Sequence, residues 1–300
     1  MKNKKTLVII AVVVVIVLIL GAIGGSGDSN TDTTSTTTTN YSNTSSTTTT
    51  KKSTQSEDVS IPETVWADYN GFKVTVKSIK KNYSDYTLKI NLENNSTDNL
   101  SISLDHLIIN DCVISAWFYE DVASGKKANS EISIDIDKLK DANINIISKI
   151  ELFAHISNPD TYLKLEDCDP ITINTSAFDK MEERDDSGEV LFDNGEFRII
   201  NKGIKKNWIG SDCVMLYIEN NSKKSIGTTL EYVAVNGYML TSLLGYEIPT
   251  GKYMVAELEI YSSMLEENDI TDIEEVAFEI SFYDHNTYKT ITKTGELIVK

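Results

Sequence analysis

One motif occurs twice in this chain, and the spacing of its copies constrains the fold more than any other feature. The residues Ile79–Asn82 recur as Ile204–Asn207. Both copies lead into a strand-like run that ends in the same four letters, at Glu93–Ser96 and at Glu219–Ser222. If the chain contains a duplicated unit, apolar positions should keep one register along its whole length.

The apolar positions do keep that register. In the first copy Leu88, Ile90 and Leu92 alternate with polar residues. A shift of 126 places carries the same pattern onto Val214, Leu216 and Ile218. The same shift matches later core and turn positions, among them Gly125-Lys126 with Gly251-Lys252, Leu152 with Phe278, and Thr161-Tyr162 with Thr287-Tyr288. Alternation with period two is typical of a strand with one buried face, so the repeated unit is built from strands.

Turn signals divide each copy into seven or eight short predicted strands. Asn-Gly dipeptides, which are typical of tight hairpins, occur at Asn70-Gly71, Asn194-Gly195 and Asn236-Gly237. Short helices are expected near Asp137–Asp141 and Ser262–Asn268, but no long amphipathic helix separates the strands. The sequence therefore predicts an all-β fold of two tandem immunoglobulin-like antiparallel β-sandwiches, without the Cys…Trp…Cys pattern of antibody domains.

The N-terminus predicts export. Three lysines among the first five residues precede the apolar run Leu7–Leu20, which approaches the ~30 Å of a hydrocarbon core. We favour a retained signal anchor or transmembrane helix over residues 1–25, because the run exceeds the ~7–15 residue core of a cleaved signal peptide. Cleavage near Ala22 and Gly24 is the alternative. Either interpretation places the rest of the chain outside the cytoplasm, since the positive charge precedes the run.

Composition then sets the predicted domain boundaries. Only five residues between Ser29 and Thr50 are neither serine nor threonine, and such a tract cannot offset its chain entropy by burying apolar surface. We expect residues 26–58 to form a disordered stalk. The remainder suits two domains, at 59–176 and 189–300, joined by an acidic linker at 177–188.

Charge and cysteine content exclude several functions. The net charge of −17, from 45 acidic and 28 basic residues, argues against a nucleic-acid partner. Three cysteines, Cys112, Cys168 and Cys213, form neither a disulfide framework nor a zinc-binding spacing. We expect free thiols, with a bridge between Cys112 and Cys168 as the alternative.

No catalytic constellation is evident. His106, His155 and His285 lack partners at metal-ligand spacing, and no nucleophile elbow, phosphate loop or dinucleotide fingerprint is present. The duplication also repeats no reactive residue, since His155 corresponds to Ser281 and Cys112 to Tyr238. We therefore predict a protein that is not an enzyme and needs no cofactor.

The strongest candidate for a binding patch is the aromatic stretch Trp117, Phe118 and Tyr119. Side chains alternate along a strand, so three consecutive aromatics cannot all face one core and at least one should be exposed. Such a ring could bind a sugar or a peptide. The alternative is a packed strand edge or a contact between the two units.

The acidic segment around Glu182, Glu183, Asp185 and Asp186 is a second feature with two interpretations. Carboxylates between tandem sandwiches could hold Ca²⁺. We favour a solvated hydrophilic linker, because no regular calcium loop is present.

Three stretches of the second unit carry a resemblance to a known family: Val235–Tyr238, Gly251-Lys252 and Leu265–Asp284. The chain resembles an uncharacterised immunoglobulin-like domain of exported, membrane-anchored proteins of Gram-positive bacteria. The first unit departs from the pattern at Asp111-Cys112, where the second has Gly237-Tyr238. The resemblance implies the fold and a location outside the cytoplasm, and it brings no catalytic residues.

These observations together predict a single-pass protein of the cell membrane with its folded domains outside the cytoplasm. Its function would be non-catalytic binding or adhesion through the two domains, with a protein or a glycan as ligand. The alternative is a structural or accessory subunit of a membrane complex. The step from a sandwich fold to adhesion is an analogy, because this fold serves many functions.

Overall fold

Strands form most of the part of the chain that the structure, a computed structural model, describes, which is residues 58–300. The predicted membrane segment and the predicted stalk up to residue 57 lie outside that part. Among residues 58–300 no helix is long and apolar enough to cross a membrane. These residues confirm the all-β prediction, with two short α-helices and one turn of 3-10 helix beside the strands.

Each repeat contains ten strands within the described residues, more than the seven or eight predicted. The first repeat has β1 (Thr64–Tyr69), β2 (Phe72–Lys81), β3 (Asp85–Asn94), β4 (Leu100–Ile109), β5 (Cys112–Ile114), β6 (Tyr119–Val122), β7 (Lys126–Asp135), α1 (Ile136–Asp141), β8 (Lys149–Ser157), β9 (Lys164–Asp167) and β10 (Ile171–Asn174). A 3-10 turn follows at Phe178–Lys180. The second repeat has β11 (Glu189–Asp193), β12 (Phe197–Lys206), β13 (Asp212–Asn220), β14 (Ile226–Val235), β15 (Tyr238–Leu240), β16 (Glu247–Ile248), β17 (Tyr253–Ile260), α2 (Ser262–Glu267), β18 (Val276–Asp284), β19 (Thr290–Lys293) and β20 (Leu297–Val299).

The additional strands arise because some edges are interrupted. In the first repeat β9 and β10 both pair with β8, and the break between them contains Pro170, which has no N–H to donate. In the second repeat β19 and β20 both pair with β18, and the break there contains Gly295 at a φ of 71°. A period-two pattern does not reveal such breaks.

The strands form three sheets. Sheet A has the order β1-β2-β3-β7. Sheet B has the order β10-β8-β4-β5-β17-β13-β12-β11, with β6 on β4 and β9 on β8. Sheet C has the order β15-β14-β18-β19, with β16 on β14 and β20 on β18. Sheet B therefore runs from one repeat into the other.

One strand pair corrects the prediction of purely antiparallel sheets. Among residues 58–300 every pair is antiparallel except β5 with β17, which run parallel where the two repeats meet. Parallel strands need a long connection between them, and here the connection includes much of the second repeat. The periodicity of neither strand therefore predicts this pair.

Two clusters of buried apolar side chains lie between facing layers of strands. Leu88, Ile90 and Leu92 of β3 face the first cluster and are at most 1% exposed, which confirms the predicted alternation. Their equivalents Val214 and Leu216 face the second cluster and are fully buried. Layers that enclose an apolar interior in this way are sandwich-like.

The predicted turns join the strands as expected. Asn70 and Gly71 connect β1 to β2 with φ angles of 48° and 91°, the positive values that a two-residue hairpin turn requires. Asn236-Gly237 makes the same turn between β14 and β15. The equivalent turn of the first repeat has Asp111 at a φ of 69°, without glycine's freedom. Other contacts must offset that cost.

Candidate functional site

The predicted aromatic patch lies between β5 and the start of β6, and its three rings have different environments. Trp117 is 79% exposed. Phe118 is 3% exposed and packs against Trp66, with ring centroids 5.7 Å apart. Tyr119 is half-buried in β6. One ring of the stretch is exposed, as expected, but Trp117 and Phe118 precede β6, so strand alternation is not the cause, and Phe118 belongs to the first core. Binding at Trp117 stays a prediction.

The surroundings of Tyr119 extend the exposed surface beyond the predicted stretch. Partial burial raises the pKa of the Tyr119 hydroxyl, and a hydrogen bond to Asp121 and the nearby Tyr162 raise it further. Tyr162 is itself exposed. An exposed tyrosine and a carboxylate thus lie near the Trp117 stretch, and sequence spacing gave no sign of Tyr162.

Exposed apolar side chains recur at equivalent positions of the two repeats. Trp117 corresponds to Leu243, and each is more than three-quarters exposed. Two further pairs are exposed in both repeats, Tyr83 with Trp208 at hairpin tips and Tyr162 with Tyr288 in turns. Exposed side chains add little to a core, so core packing does not explain their recurrence. These recurring exposed side chains are therefore candidates for a contact surface.

The two repeats meet along β5 and β17. Tyr253 lies opposite Cys112 in parallel register, and its N–H donates to the Asp111 carbonyl at 3.2 Å. The Tyr253 ring is 2% exposed and stacks on Tyr217 with centroids 4.9 Å apart. Both tyrosines pack into the first apolar cluster although they belong to the second repeat. The second repeat therefore helps to close the core of the first.

Four charged side chains flank this strand pair. Lys252 Nζ lies 2.6 Å from Asp111 Oδ1 and 2.7 Å from Glu151 Oε2. Lys149 Nζ lies 2.7 Å from the same Asp111 oxygen and 3.1 Å from Glu151 Oε1. Each of the four is less than a third exposed. Because Lys252 comes from the second repeat, these charge-assisted hydrogen bonds join the repeats. Asp111 gains contacts that Gly237 could not make, which offsets its positive φ.

A second set of ion pairs also crosses between the repeats. Lys205 Nζ lies 2.5 Å from Asp141 Oδ2 at the end of α1 and 3.2 Å from Glu257 Oε1. Lys138 Nζ lies 2.9 Å from that Glu257 oxygen. Lys205 belongs to the motif that occurs twice, and Lys252 belongs to the repeated Gly-Lys pair. In the second copy, these repeated lysines hold the two repeats together.

The pKa of Asp111 should make this junction sensitive to acid. Burial raises the pKa, but hydrogen bonds from Lys149 and Lys252 outweigh burial and hold the pKa below its usual value. A carboxyl group with a depressed pKa stabilises the fold above its unfolded pKa of about 3.9, and that stability is lost as the pH falls through the folded pKa. We expect the free energy of unfolding of the wild type to fall more steeply below about pH 4 than that of Asp111→Asn.

Urea unfolding over a pH series measures this difference. Asparagine keeps the size of Asp111 and tolerates positive φ, so the variant removes the charge with little change to the turn. If the free energy of unfolding of the two proteins fell equally as the pH was lowered, the Asp111 carboxylate would not stabilise the junction.

Two of the three histidines, His106 and His285, line one open cavity of about 570 Å³, to which residues of both repeats contribute. His106 Nε2 lies 3.2 Å from Glu247 Oε1, and His285 Nδ1 lies 3.1 Å from Glu247 Oε2. His155 Nδ1 contacts Asp105 Oδ1 at 2.6 Å. Sequence reasoning took each histidine separately and missed this group, because His106 and Glu247 belong to different repeats.

The three thiols are unreactive by position. Burial raises the pKa of Cys112 to about 12. Burial and nearby carboxylates raise the pKa of Cys168 and of Cys213 to about 11. Only the thiolate is a good nucleophile, so these groups are protonated and inert at neutral pH. All three are free, so Cys112 and Cys168 form no bridge.

Partners within the protein hold the acidic segment between the repeats. Three of its carboxylates have partners: Glu182 with Asn145, Asp185 with Lys202 and Asp186 with Arg198. Arg184 of the same segment reaches Glu219 at 2.6 Å. Within residues 58–300 no group of His, Cys, Asp or Glu side chains is arranged to hold a metal ion. These carboxylates serve to dock the segment on the protein.

Comparisons with known proteins do not place this chain in a family. No family model matches it, and no curated protein matches it. Among solved structures, the crystal structure of Bacteroides uniformis beta-glucuronidase aligns with a TM-score of 0.22 and 10% identity. The alignment covers 72% of this chain and 26% of that chain, so the match spans about a quarter of that protein. A likeness at this level carries no argument about fold or activity.

Proposed function

We propose that this chain is a single-pass membrane protein that presents two immunoglobulin-like domains outside the cytoplasm and uses them to bind a protein or a glycan. Residues 1–25 are the anchor and residues 26–58 the stalk. The domains are residues 59–176 and 189–300, and the segment 177–188 links them. The function is binding or adhesion, without catalysis or a cofactor.

The arrangement of strands supports the two-domain part of the proposal. The order β1-β2-β3-β7 in the first repeat corresponds strand by strand to β11-β12-β13-β17 in the second. Each repeat also has its own apolar cluster between facing layers. Sandwiches of about 100 residues with antiparallel strands are typical of immunoglobulin-like domains.

The recurrence of exposed apolar side chains at equivalent positions carries the proposed binding function. Trp117 is the strongest candidate among them, because a flat indole offers packing surface at little cost in conformational entropy. Glu120 and Asp121 follow it and can accept hydrogen bonds from a sugar hydroxyl or a peptide amide. The protonated thiols support the absence of nucleophilic catalysis.

Replacing Trp117 with alanine is expected to lower ligand retention about tenfold or more, as losing an aromatic anchor does at many interfaces. The full chain is immobilised in detergent, and purified cell-wall glycan fragments and solubilised envelope proteins are passed over it in separate runs. The bound fraction of each is compared between the wild type and Trp117→Ala.

Phe178→Ala is the control, because Phe178 is an exposed aromatic of the 3-10 turn and does not belong to the recurring exposed pairs. Loss of retention in Trp117→Ala alone would support the proposed site, whereas equal loss in both variants would indicate unspecific adhesion of exposed rings. If the wild type retains neither probe, the binding function is wrong and the accessory-subunit alternative gains support.

A further inference from the structure

The junction between the repeats uses a different edge from each of them. The first repeat supplies β5 with the carboxylates of Asp111, Glu151 and Asp141, which we call the acidic edge. The second repeat supplies β17 with Lys205 and Lys252, which we call the basic edge. Because the unit is duplicated, each repeat has a counterpart of both edges, and the junction uses only one of each.

The unused counterparts are β7 in the first repeat and β15 in the second. Among the described residues β7 pairs only with β3, and β15 pairs only with β14. Each strand therefore leaves one row of backbone N–H and C=O groups without a strand partner. Such a row is a template for another strand.

The unused edges keep part of the charge pattern of the junction, since both lysines and the Asp141 position are charged there, whereas Asp111 and Glu151 correspond to Gly237 and Ala277. Lys80 and Lys126 occupy the positions of the two junction lysines and are exposed, and neither amine contacts a carboxylate within residues 58–300. Glu267 occupies the position of Asp141 at the end of α2 and is exposed. Glu275 lies at the position of Lys149 beside the unused edge of the second repeat, and its Oε2 lies 3.3 Å from Lys300 Nζ.

We propose that β7 of one copy of this chain docks on β15 of a second copy, in the way that β17 docks on β5 within each chain. Lys80 of one copy then meets Glu267 of the next. Superposing one repeat on the other places this pair, because Lys205, the equivalent of Lys80, contacts Asp141, the equivalent of Glu267, at the existing junction.

The composition of the two edges favours a second copy over an arbitrary strand. Lysines beside the free edge of β7 discourage pairing with an arbitrary strand. A strand that docks there must bring carboxylates, and the β15 edge has them. Docking also covers Tyr238 and Met239, which are more than half exposed. Lys127 of β7 occupies the position of Tyr253, which is buried at the junction. Contact between copies therefore depends more on charge than the junction does, and it weakens as the salt concentration rises.

The two docking surfaces differ from each other, so the contact is heterologous. Such a contact does not close on itself unless the rotation happens to complete a ring, and it otherwise builds an open row of copies. The proposal rests on the junction geometry and is independent of the ligand site at Trp117.

Carbodiimide crosslinking of the full chain in membrane vesicles tests the proposal, because this reagent joins a lysine to a carboxylate only where the two touch. The wild type is expected to give products of two and more chains. Lys80→Glu and Glu267→Lys should each lower the yield about tenfold, because like charges then meet at the contact. The double variant Lys80→Glu/Glu267→Lys restores an opposite pair and should return to within about twofold of the wild type.

Lys73→Glu is the control, because Lys73 is exposed on the same strand as Lys80 but near its other end, and the yield should not change. All variants should keep the wild-type melting temperature, since the changed residues are exposed. Three outcomes would overturn the proposal: no product of two chains in the wild type, single variants that crosslink like the wild type, or a double variant no better than the singles. Products that contain only a different protein would also overturn it, because the occupant would not be a second copy.

Discussion

Replacing Lys252 with alanine is expected to lower the free energy of unfolding by about 3 kcal/mol. The amine lies 2.6 Å from Asp111 and 2.7 Å from Glu151, and its removal leaves both carboxylates to share Lys149. A poorly solvated charge without its partner costs more than the pair contributed when intact, because its desolvation is no longer compensated. Urea unfolding of the full chain measures the change.

The duplication provides a matched control for this variant. Lys126 is the equivalent residue of the first repeat, is exposed, and has no ion-pair partner among residues 58–300. Lys126→Ala should change the free energy of unfolding by no more than about 0.5 kcal/mol. Similar losses in both variants would mean that the lysine acts through its own repeat and not through the junction.

Replacing Ile90 with alanine is expected to cost about 2–5 kcal/mol of stability. Ile90 is 1% exposed in the middle of β3, where its side chain faces the first apolar cluster. Truncation removes the favourable free energy of burying the lost carbon atoms. It also leaves a cavity that the close-packed interior cannot fill. The equivalent Leu216→Ala should have a cost in the same range, since Leu216 is fully buried in the second cluster. Urea unfolding of each variant measures both.

Val65 supplies the control for these core variants. It lies in β1 and is 44% exposed, so Val65→Ala should change stability by no more than about 0.5 kcal/mol. If Ile90→Ala were no more damaging than Val65→Ala, the strand register described for β3 would be wrong.

Local features made much of the fold predictable. Alternation at Leu88, Ile90 and Leu92 fixed which face of β3 is buried, because a shift of one residue would reverse every side chain. Asn70-Gly71 predicted its hairpin because few other dipeptides adopt two positive φ angles. The repeated Asn110 and Asn236 have the same role in both repeats, since each side chain accepts hydrogen bonds from backbone N–H groups about 38 residues later.

The junction could not be predicted in the same way. The parallel pairing of Tyr253 with Cys112 joins residues 141 places apart and follows from how the repeats dock, which no periodicity records. One signal was present: the first repeat has Asp111-Cys112 where the second has Gly237-Tyr238. A residue that departs from its repeat and adopts an unfavourable φ is a candidate for contacts between repeats, and Asp111 makes them.

The candidate site was predictable only in part. The sequence predicted an exposed ring by treating the Trp117 stretch as a strand, but Trp117 and Phe118 precede β6, so which ring is buried depends on which side chain the first core accepts. Phe118 takes that place beside Trp66. The recurrence of exposed side chains became visible only when burial could be compared between the repeats. Tyr83 and Trp208, for example, directly follow the two copies of the motif, but the sequence alone does not show that both are exposed.

Amide exchange at Tyr253 tests most directly the central claim that the repeats are joined through β5 and β17. The Tyr253 N–H donates to the Asp111 carbonyl, whereas Lys127, its equivalent in β7, lies on the unused edge. Hydrogen exchange is followed at single-residue resolution in the full chain, diluted until crosslinking yields no product of two chains. The account predicts that Tyr253 exchanges about 100-fold more slowly than Lys127, because a junction amide opens only when the repeats part. Equal exchange at the two positions would contradict it.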